Sequence, residues 1–279
     1  MGQKAHSVMV IPDVVADSRT ESAGHLSSKP QAGLLIVNAD DWGRDRDVTD
    51  RTFECVLHGT VSSVSAMVFM SDSERAAAMA QSRAIDAGLH LNFTTPFSAA
   101  CPVRLVERQA ELAEYLRRSP FARVIFHPGL ARSFEYVVAA QLDEFRRLYG
   151  AEPGRLDGHH HMHLCANVLL ARLLPPETAV RRNFTFQPGE KSLVNRLYRR
   201  AVDRQLARRH RLVDFLFSLV PMQPPIRLTR IFSLARQYVV ELETHPANTD
   251  EFRFLTQGEL LDLLGDVPIA SRFTALRTL

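Results

Sequence analysis

The segment Asn38-Ala39-Asp40-Asp41-Trp42-Gly43 sets two adjacent carboxylates directly after an apolar run, Leu34-Leu35-Ile36-Val37. Such a run, bounded by Gly33 and Gly43, reads as a buried parallel strand that delivers polar side chains at its carboxyl end. A second segment, Asp157-Gly158-His159-His160-His161-Met162-His163, packs four histidines into five residues beside another carboxylate. Imidazole nitrogens and carboxylate oxygens together suit a hydrolytic divalent cation such as Zn²⁺. With one carboxylate on the metal, the other can accept a proton from the attacking water. The chemistry indicated is metal-dependent hydrolysis.

Each candidate has a plainer alternative. Adjacent strand residues point to opposite faces, so Asp40 and Asp41 reach one site only where the strand ends, and DDWG is also acceptable turn composition. His90 lies between Leu89 and Leu91 and is followed by Asn92 and Thr94, which places a candidate ligand at a strand end. The alternative is a core histidine bonded to a backbone carbonyl. In the histidine run, an extended backbone would align His159, His161 and His163 on one face, whereas a helix would pair His159 with His163. An unused cluster of imidazoles would repel itself on charging, which favours the metal-site reading. His245, before Pro246, is a weaker candidate, as is His127 before Pro128. His6, His25, His58 and His210 are assigned no function.

The elements that must position these residues alternate between strand and helix. Apolar spacing predicts a helix over 47–58, a strand over 61–69 and an alanine-rich helix to about residue 85, with capping chemistry at Ser71-Asp72-Ser73-Glu74. Strands follow at 88–92 and 124–126, then a helix over 134–148 and a strand end at 155–157. A helix over 167–174 stops at Pro175-Pro176. A strand over 238–242 delivers Glu243, Thr244 and His245, and 258–265 closes the chain as a helix. Repeated βα alternation argues for an α/β fold with a barrel-like parallel sheet, whose active site lies at the carboxyl ends of the strands. Residues 1–32 lack a sustained period and read as a flexible N-terminal extension, leaving 33–279 as a single β/α domain.

Composition narrows the class. The chain has 279 residues, a net charge of +3 and three cysteines, Cys55, Cys101 and Cys165, without a CxxC pair. Global charge alone gives no reason to expect nucleic acid, and the cysteine usage fits a reducing cytosol. No apolar stretch approaches the roughly 20 residues of a membrane span, and Asp13 and Asp17 break up any signal-like segment. Cytoplasmic location is the default, extending to the inner face of the membrane. The segment 181–211 is strongly basic. Arg199 and Arg200, with other arginines, interleave with Leu193, Val194, Leu197 and Leu206 as an amphipathic cationic helix. A solvated face is the plain reading; contact with substrate phosphate or an anionic membrane is the sharper one.

Taken together, LIVNADDWG at 35–43, HGTVSSVSAMV at 58–68, GLHLNFT at 88–94, LDGHHHMHL at 156–164 and ETHP at 243–246 resemble the YdjC-like family of carbohydrate deacetylases. That family includes chitooligosaccharide deacetylases and hopanoid-associated deacetylase-like proteins. The resemblance implies a barrel-like (β/α) sheet of the glycoside hydrolase/deacetylase type and hydrolysis of an N-acetyl group on an amino sugar in a glycan, oligosaccharide or glycolipid precursor. By position it implies Asp41, His90 and His159 as ligands of one divalent ion. Zn²⁺ or Mg²⁺ leads, and Mn²⁺, Co²⁺ and Ni²⁺ are also compatible. It also implies Asp40 as general base and His245 as general acid or oxyanion stabiliser. His161 and His163 would line the pocket, and Asn92 is a further substrate-contact candidate; Arg199 and Arg200 join it only from the charge of the basic helix, as the place for a substrate anion. The partner is then an N-acetylated sugar, with phosphate or lipid linkage and homodimer formation left open. Trp42 stands where the family usually has phenylalanine, and 183–235, taken as a basic helical insertion, matches no family motif and is expected to set the substrate. A metal-dependent phosphoesterase and a non-catalytic metal- or carbohydrate-binding protein are the competing readings.

Overall fold

In a computed structural model, described over residues 33–186 and 190–273, strands and helices alternate. The first half runs β1 (Leu34–Trp42), α1 (Arg46–Leu57), β2 (Ser63–Ala66), α2 (Ser73–Arg83), β3 (Ala87–Leu91), α3 (Val103–Arg118), α4 (Ala131–Tyr149) and β4 (Arg155–Gly158). The second half runs α5 (Ala166–Leu170), β5 (Ala179–Val180), α6 (Leu193–Ala207), β6 (Phe215–Ser218), α7 (Ile226–Ala235), β7 (Val239–Thr244), α8 (Thr249–Thr256) and α9 (Glu259–Leu264).

The seven strands form one sheet in the order β5-β4-β3-β2-β1-β7-β6, with every pairing parallel. The sheet curls into a half-barrel with helices around it. Its two edges meet through backbone bonds: Val180 N–H donates to the Arg211 carbonyl at 3.0 Å and Thr185 N–H to that of Leu216 at 2.8 Å. The expected barrel-like α/β architecture is therefore present.

Alternation along the strands sorts the side chains into layers. Leu35, Val37 and Ala39 of β1 join the large apolar cluster that also takes in Phe134, Val137 and Phe145 of α4 and Ile231 and Phe232 of α7. Ile36 joins a smaller cluster with Ala179, Val213, Val239, Ala270 and Phe273. Continuing along that inner face, Asn38 and Asp40 enter a buried polar layer with Ser65, His90, Arg155, Asp157, Arg181, Glu241 and Glu243. Gly88 makes room in it, because a Cβ there would lie 2.8 Å from the Arg155 guanidinium carbon.

Several expected elements differ. The strand expected over 61–69 is confined to β2, because only Ser63–Ala66 keeps the ladder. No strand forms over 124–126: a short 3₁₀ turn at Pro120–Arg123 leads into a bend that leaves Val124 and Ile125 exposed. The helix expected over 167–174 ends at Leu170. Asp72 precedes α2 without a capping bond, its carboxylate being held by Arg75 at 2.7 Å. The stretch 183–235 is more than a helical insertion, since it supplies β6 to the sheet and α7 to the core. The extension expected over 1–32 lies outside the described residues. Among the described residues, no helix is long and apolar enough to cross a membrane.

Candidate metal and hydrolytic site

The site is built at the carboxyl ends of the strands. Register shifts between Ala39 and Trp42 of β1, and Asp41 adopts φ +66°. Aspartate tolerates this left-handed geometry better than most residues. The irregularity resolves the problem of adjacent carboxylates, since Asp40 and Asp41 both turn toward His90. Trp42 anchors the turn, fully buried, its indole N–H donating to the Ala76 carbonyl at 3.2 Å.

Asp41 Oδ2 accepts from Arg44 at 2.8 Å. Its Oδ1 is buried without an aligned hydrogen-bond partner, although His159 Nδ1 lies 2.9 Å away and His90 Nε2 3.5 Å away. His90 sits opposite Asp157 in the β3–β4 register, and its Nδ1 is 2.8 Å from Asp157 Oδ1. Asp157 is ionised, because the charges of Arg181, His90 and Arg155 overcome the effect of burial and hold its pKa well below the usual range. Its carboxylate therefore accepts a hydrogen bond from His90 Nδ1–H. In the neutral imidazole this leaves the Nε2 lone pair facing Asp41, the arrangement in which a histidine ligates a metal through one nitrogen and is oriented through the other.

His159 opens a 3₁₀ segment, His159–Leu164, in which His160 and His161 take φ 55° and 56°. This left-handed pair fans the rings, so neither an extended nor a helical alignment occurs. His159 faces Asp41, His160 Nδ1 is 3.0 Å from Thr94 Oγ1, and His161 Nε2 is 3.2 Å from Glu243 Oε2. His163 is fully buried and donates through Nε2 to the Arg181 carbonyl at 2.9 Å. Its ring packs against Gly158, where a Cβ would come within 3.1 Å. Burial pushes its pKa down to about 3, so it is neutral.

Arg181, wholly buried, gathers the other acids. Its Nη1 and Nη2 grip the two oxygens of Asp40 at 2.7 Å each. Its Nε donates to Glu241 at 2.7 Å and its Nη1 to Glu243 at 3.0 Å, and Asp157 lies 3.1 Å from Nη2. His245, partly exposed, holds Nε2 at 3.9 Å from Asp40 and 3.8 Å from Glu243, while its backbone N–H donates to Glu251 at 2.9 Å. Burial alone would lower the pKa of His245, but Asp40, Glu243 and Glu251 raise it. Burial raises Glu251 to about 7.

The electrostatic balance favours a cation. The buried carboxylates Asp40, Asp41, Asp157, Glu241 and Glu243 face the buried guanidiniums of Arg155 and Arg181. That excess shows at His90: burial opposes its charging, yet Asp40, Asp157 and Asp41 lift its pKa to about 9. Asp41, His90 and His159 can offer ligand atoms within 4.8 Å of one another. Asp40 with His90 and Asp157, and Asp40 with Glu243 and His245, also converge. Those sets are poorer, because Arg181 already holds both Asp40 oxygens and Asp157 is engaged by His90, Ser65, Arg155 and Arg181. The orphaned Asp41 oxygen and the aimed His90 nitrogen fit a divalent ion.

The remaining candidates fall elsewhere. Asn92 is fully buried and braces the following turn, accepting from Thr94 and Thr95 N–H and donating to the Thr95 carbonyl. Arg199 is half-buried on α6 with its guanidinium 4.9 Å from the Phe186 ring centre, and Arg200 is exposed. Arg181, grouped with a basic helix by sequence, precedes α6 and lies inside the barrel. Sequence reasoning missed Arg181 and Glu241 as site components, and it placed Asp157 and Glu243 beside the histidines without giving either a role. The one available signal was charge at alternate positions inside apolar strands, Arg155/Asp157 and Glu241/Glu243, which places both members of each pair on one face.

The family model described as YdjC-like protein matches residues 34–266. The chain belongs to the YdjC-like family. It is 34% identical over 136 residues to a chitooligosaccharide deacetylase of Serratia marcescens, covering 47% of this chain and 51% of that protein. A chitooligosaccharide deacetylase of Yersinia enterocolitica is 30% identical over 136 residues, covering 48% and 52%. The chain thus spans about half the length of the curated relatives it matches. A crystal structure of a putative cellobiose-phosphate cleavage protein from Enterococcus faecalis superimposes with a TM-score of 0.61 at 20% identity, covering 86% of this chain and 97% of that one. This likeness places the YdjC-like chain in the same fold.

Proposed function

We propose that this YdjC-like chain is a metal-dependent carbohydrate N-deacetylase that hydrolyses an N-acetyl group on an amino sugar. The observation that carries the reading is the convergence of Asp41, His90 and His159 beside a second carboxylate, Asp40, and a protonatable histidine, His245. Deacetylation needs those parts: a ligand set, a proton acceptor for water and a proton donor for the leaving amine.

Asp41, His90 and His159 would hold the ion, which when bound supplies Lewis-acid polarisation of the acetyl carbonyl and of water. Zn²⁺ suits two imidazoles and a carboxylate best, and Mg²⁺, Mn²⁺, Co²⁺ and Ni²⁺ remain alternatives of supply and geometry. Asp40, fixed by Arg181, accepts the proton of the attacking water through an oxygen lone pair left over from that grip. His245, whose protonated form the surrounding carboxylates favour, donates to the departing amine nitrogen. His161, tied to Glu243, lines the pocket wall against Phe184, whose ring centre is 4.5 Å from its own. A cleft of about 140 Å³ continues from Phe184 past Phe186 to Arg182, Arg196, Arg199 and Arg200. Arg199 and Arg200 are our candidates for contacts to the rest of the substrate.

The test is acetate release from N-acetylated amino sugars, N-acetylglucosamine oligomers included, by the full chain with and without chelator. Acetate that disappears with chelator and returns with added metal is expected. Asp40→Asn should lose turnover by on the order of 10²–10⁴ while binding the same amount of metal. Phosphate release from phosphorylated sugars without acetate release would replace this reading by a phosphoesterase. Neither product from a metal-loaded chain would favour a binding protein.

A further inference from the structure

Apart from Arg199 and Arg200, proposed above as substrate contacts, α6 carries a surface that the hydrolytic chemistry does not use. Its inner side is tied down: Asp203 pairs with Arg182 at 2.9 Å and accepts from Asn183, and Leu206 is buried. Its outer side is open to solvent and divided along the helix axis. The amino-terminal half presents Leu193, Val194, Leu197 and Tyr198, exposed by 65%, 77%, 52% and 45%. The carboxyl-terminal half, continued by the capping residue Arg208, presents exposed Arg200, Arg204 and Arg208 at four-residue steps. The only acid within 193–208 is the buried, paired Asp203. The outer face is therefore apolar, then cationic, with no negative charge.

Further exposed apolar side chains lie at the start of α7. Ile226 there is 59% exposed and Val220 is partly exposed, while Arg227 holds the intervening turn through the carbonyls of Ser218, Leu219 and Pro221. Burial lowers the pKa of Arg227, and the Glu190 carboxylate opposes that. The approach to α6 also touches the catalytic mouth, since Phe184 packs on His161 and Phe186 sits under Arg199.

We propose that the outer face of α6, with the turn entering α7, docks this chain on an anionic lipid bilayer. A run of exposed apolar side chains on one helix is a costly surface to leave in water, and it marks a contact site. A second copy related by a two-fold axis through the apolar half would cover the leucines and valine but leave the arginine row without a partner, and an axis through the helix middle would set arginines against the apolar half. A nucleic acid backbone would take the arginines but has no use for the leucine, valine and isoleucine. A bilayer interface accepts both halves: aliphatic side chains enter the acyl boundary, tyrosine sits at headgroup depth and arginines meet lipid phosphates.

The test is co-sedimentation of the full chain with vesicles of phosphatidylcholine alone and of phosphatidylcholine mixed with phosphatidylglycerol. Binding to the mixed vesicles is expected, weakened at least roughly tenfold without the anionic lipid and again by high salt. Val194→Asp with Leu197→Asp, and separately Arg204→Glu with Arg208→Glu, should each reduce binding at least roughly tenfold. Both pairs should keep the thermal unfolding of the parent and its acetate release from N-acetylglucosamine oligomers. Binding failure thus reads out independently of the deacetylase reading. The proposal is overturned if the parent stays in the supernatant, if neutral vesicles bind equally, or if both variants sediment like the parent. It is also overturned if Leu197→Asp instead converts a dimer to a monomer with vesicle binding unchanged.

Discussion

Arg181 and Asp40, 141 residues apart in sequence, meet through two hydrogen bonds of 2.7 Å, one to each carboxylate oxygen. A two-point contact fixes both the position and the plane of the carboxylate, which a single contact does not. The same guanidinium touches Asp157, which orients His90. One buried side chain from β5's exit therefore holds the proposed base and braces the support of a proposed metal ligand.

Removing Arg181 should destabilise the fold as well as abolish turnover. Arg181→Met leaves Asp40, Glu241 and Glu243 without their main partner, and uncompensated buried charge typically costs about 3–5 kcal/mol. Urea unfolding is expected to show a loss of that order. Arg181→Lys keeps the charge but loses the fork, so it should recover part of the stability while turnover stays low. A methionine variant as stable as the parent would show that the acids find other partners.

Asp157→Asn tests the orientation of His90. The amide oxygen can still accept from His90 Nδ1, but the carboxylate charge is gone. Outer-shell replacements of this kind usually weaken metal binding by roughly 10–100-fold. Competition against a chromophoric chelator is the appropriate measurement. Undiminished affinity would mean that His90 is not a ligand or does not depend on Asp157.

How much of this centre is legible in sequence depends on how locally each residue is specified. Asp40, Asp41, His90 and His159 follow apolar runs, so strand ends could be recognised and their convergence inferred. Arg181 has no such mark, because β5 is two residues long and the next residue is another arginine. Only the parallel pairing of β5 with β4 turns it inward, a tertiary fact without local periodicity. The fan of rings over His159–His163 was illegible for another reason. Left-handed φ at two consecutive histidines accompanies a chain reversal that brings His163 back against Gly158 and onto the Arg181 carbonyl, contacts without a local sequence mark. The α/β class survives such gaps, since it follows from repeated alternation and tolerates the loss of the strand expected over 124–126.

The pH dependence of turnover should report His245. Its pKa is raised by Asp40, Glu243 and Glu251 against the effect of burial, and its proposed role requires the protonated form. Activity should therefore fall as pH rises through that elevated pKa. Glu251→Gln removes one of the three charges while its amide oxygen can still accept from the His245 N–H. The alkaline limb of kcat should then move to lower pH. A limb that stays in place would assign it to another group.

His163 should set part of the acid sensitivity of the fold. Its folded pKa of about 3 lies below the ordinary histidine value of 6.5, so the unfolded chain binds more protons between those values. Stability from neutral His163 is present above pH 6.5 and drains away as pH falls toward 3. His90 has the opposite sign and a higher window: its pKa of about 9 gives stability that is complete below 6.5 and lost as pH rises through 9. Between pH 7 and 5 the His163 contribution should shrink by about 2 kcal/mol. His163→Gln retains a donor for the Arg181 carbonyl but carries no titrating group. Urea unfolding at several pH values should show a flatter dependence in that variant below pH 6.5, whatever its absolute stability. Parallel curves for parent and variant would mean that His163 takes up its proton at the same pH in the folded and unfolded chain, so that its burial does not hold it neutral.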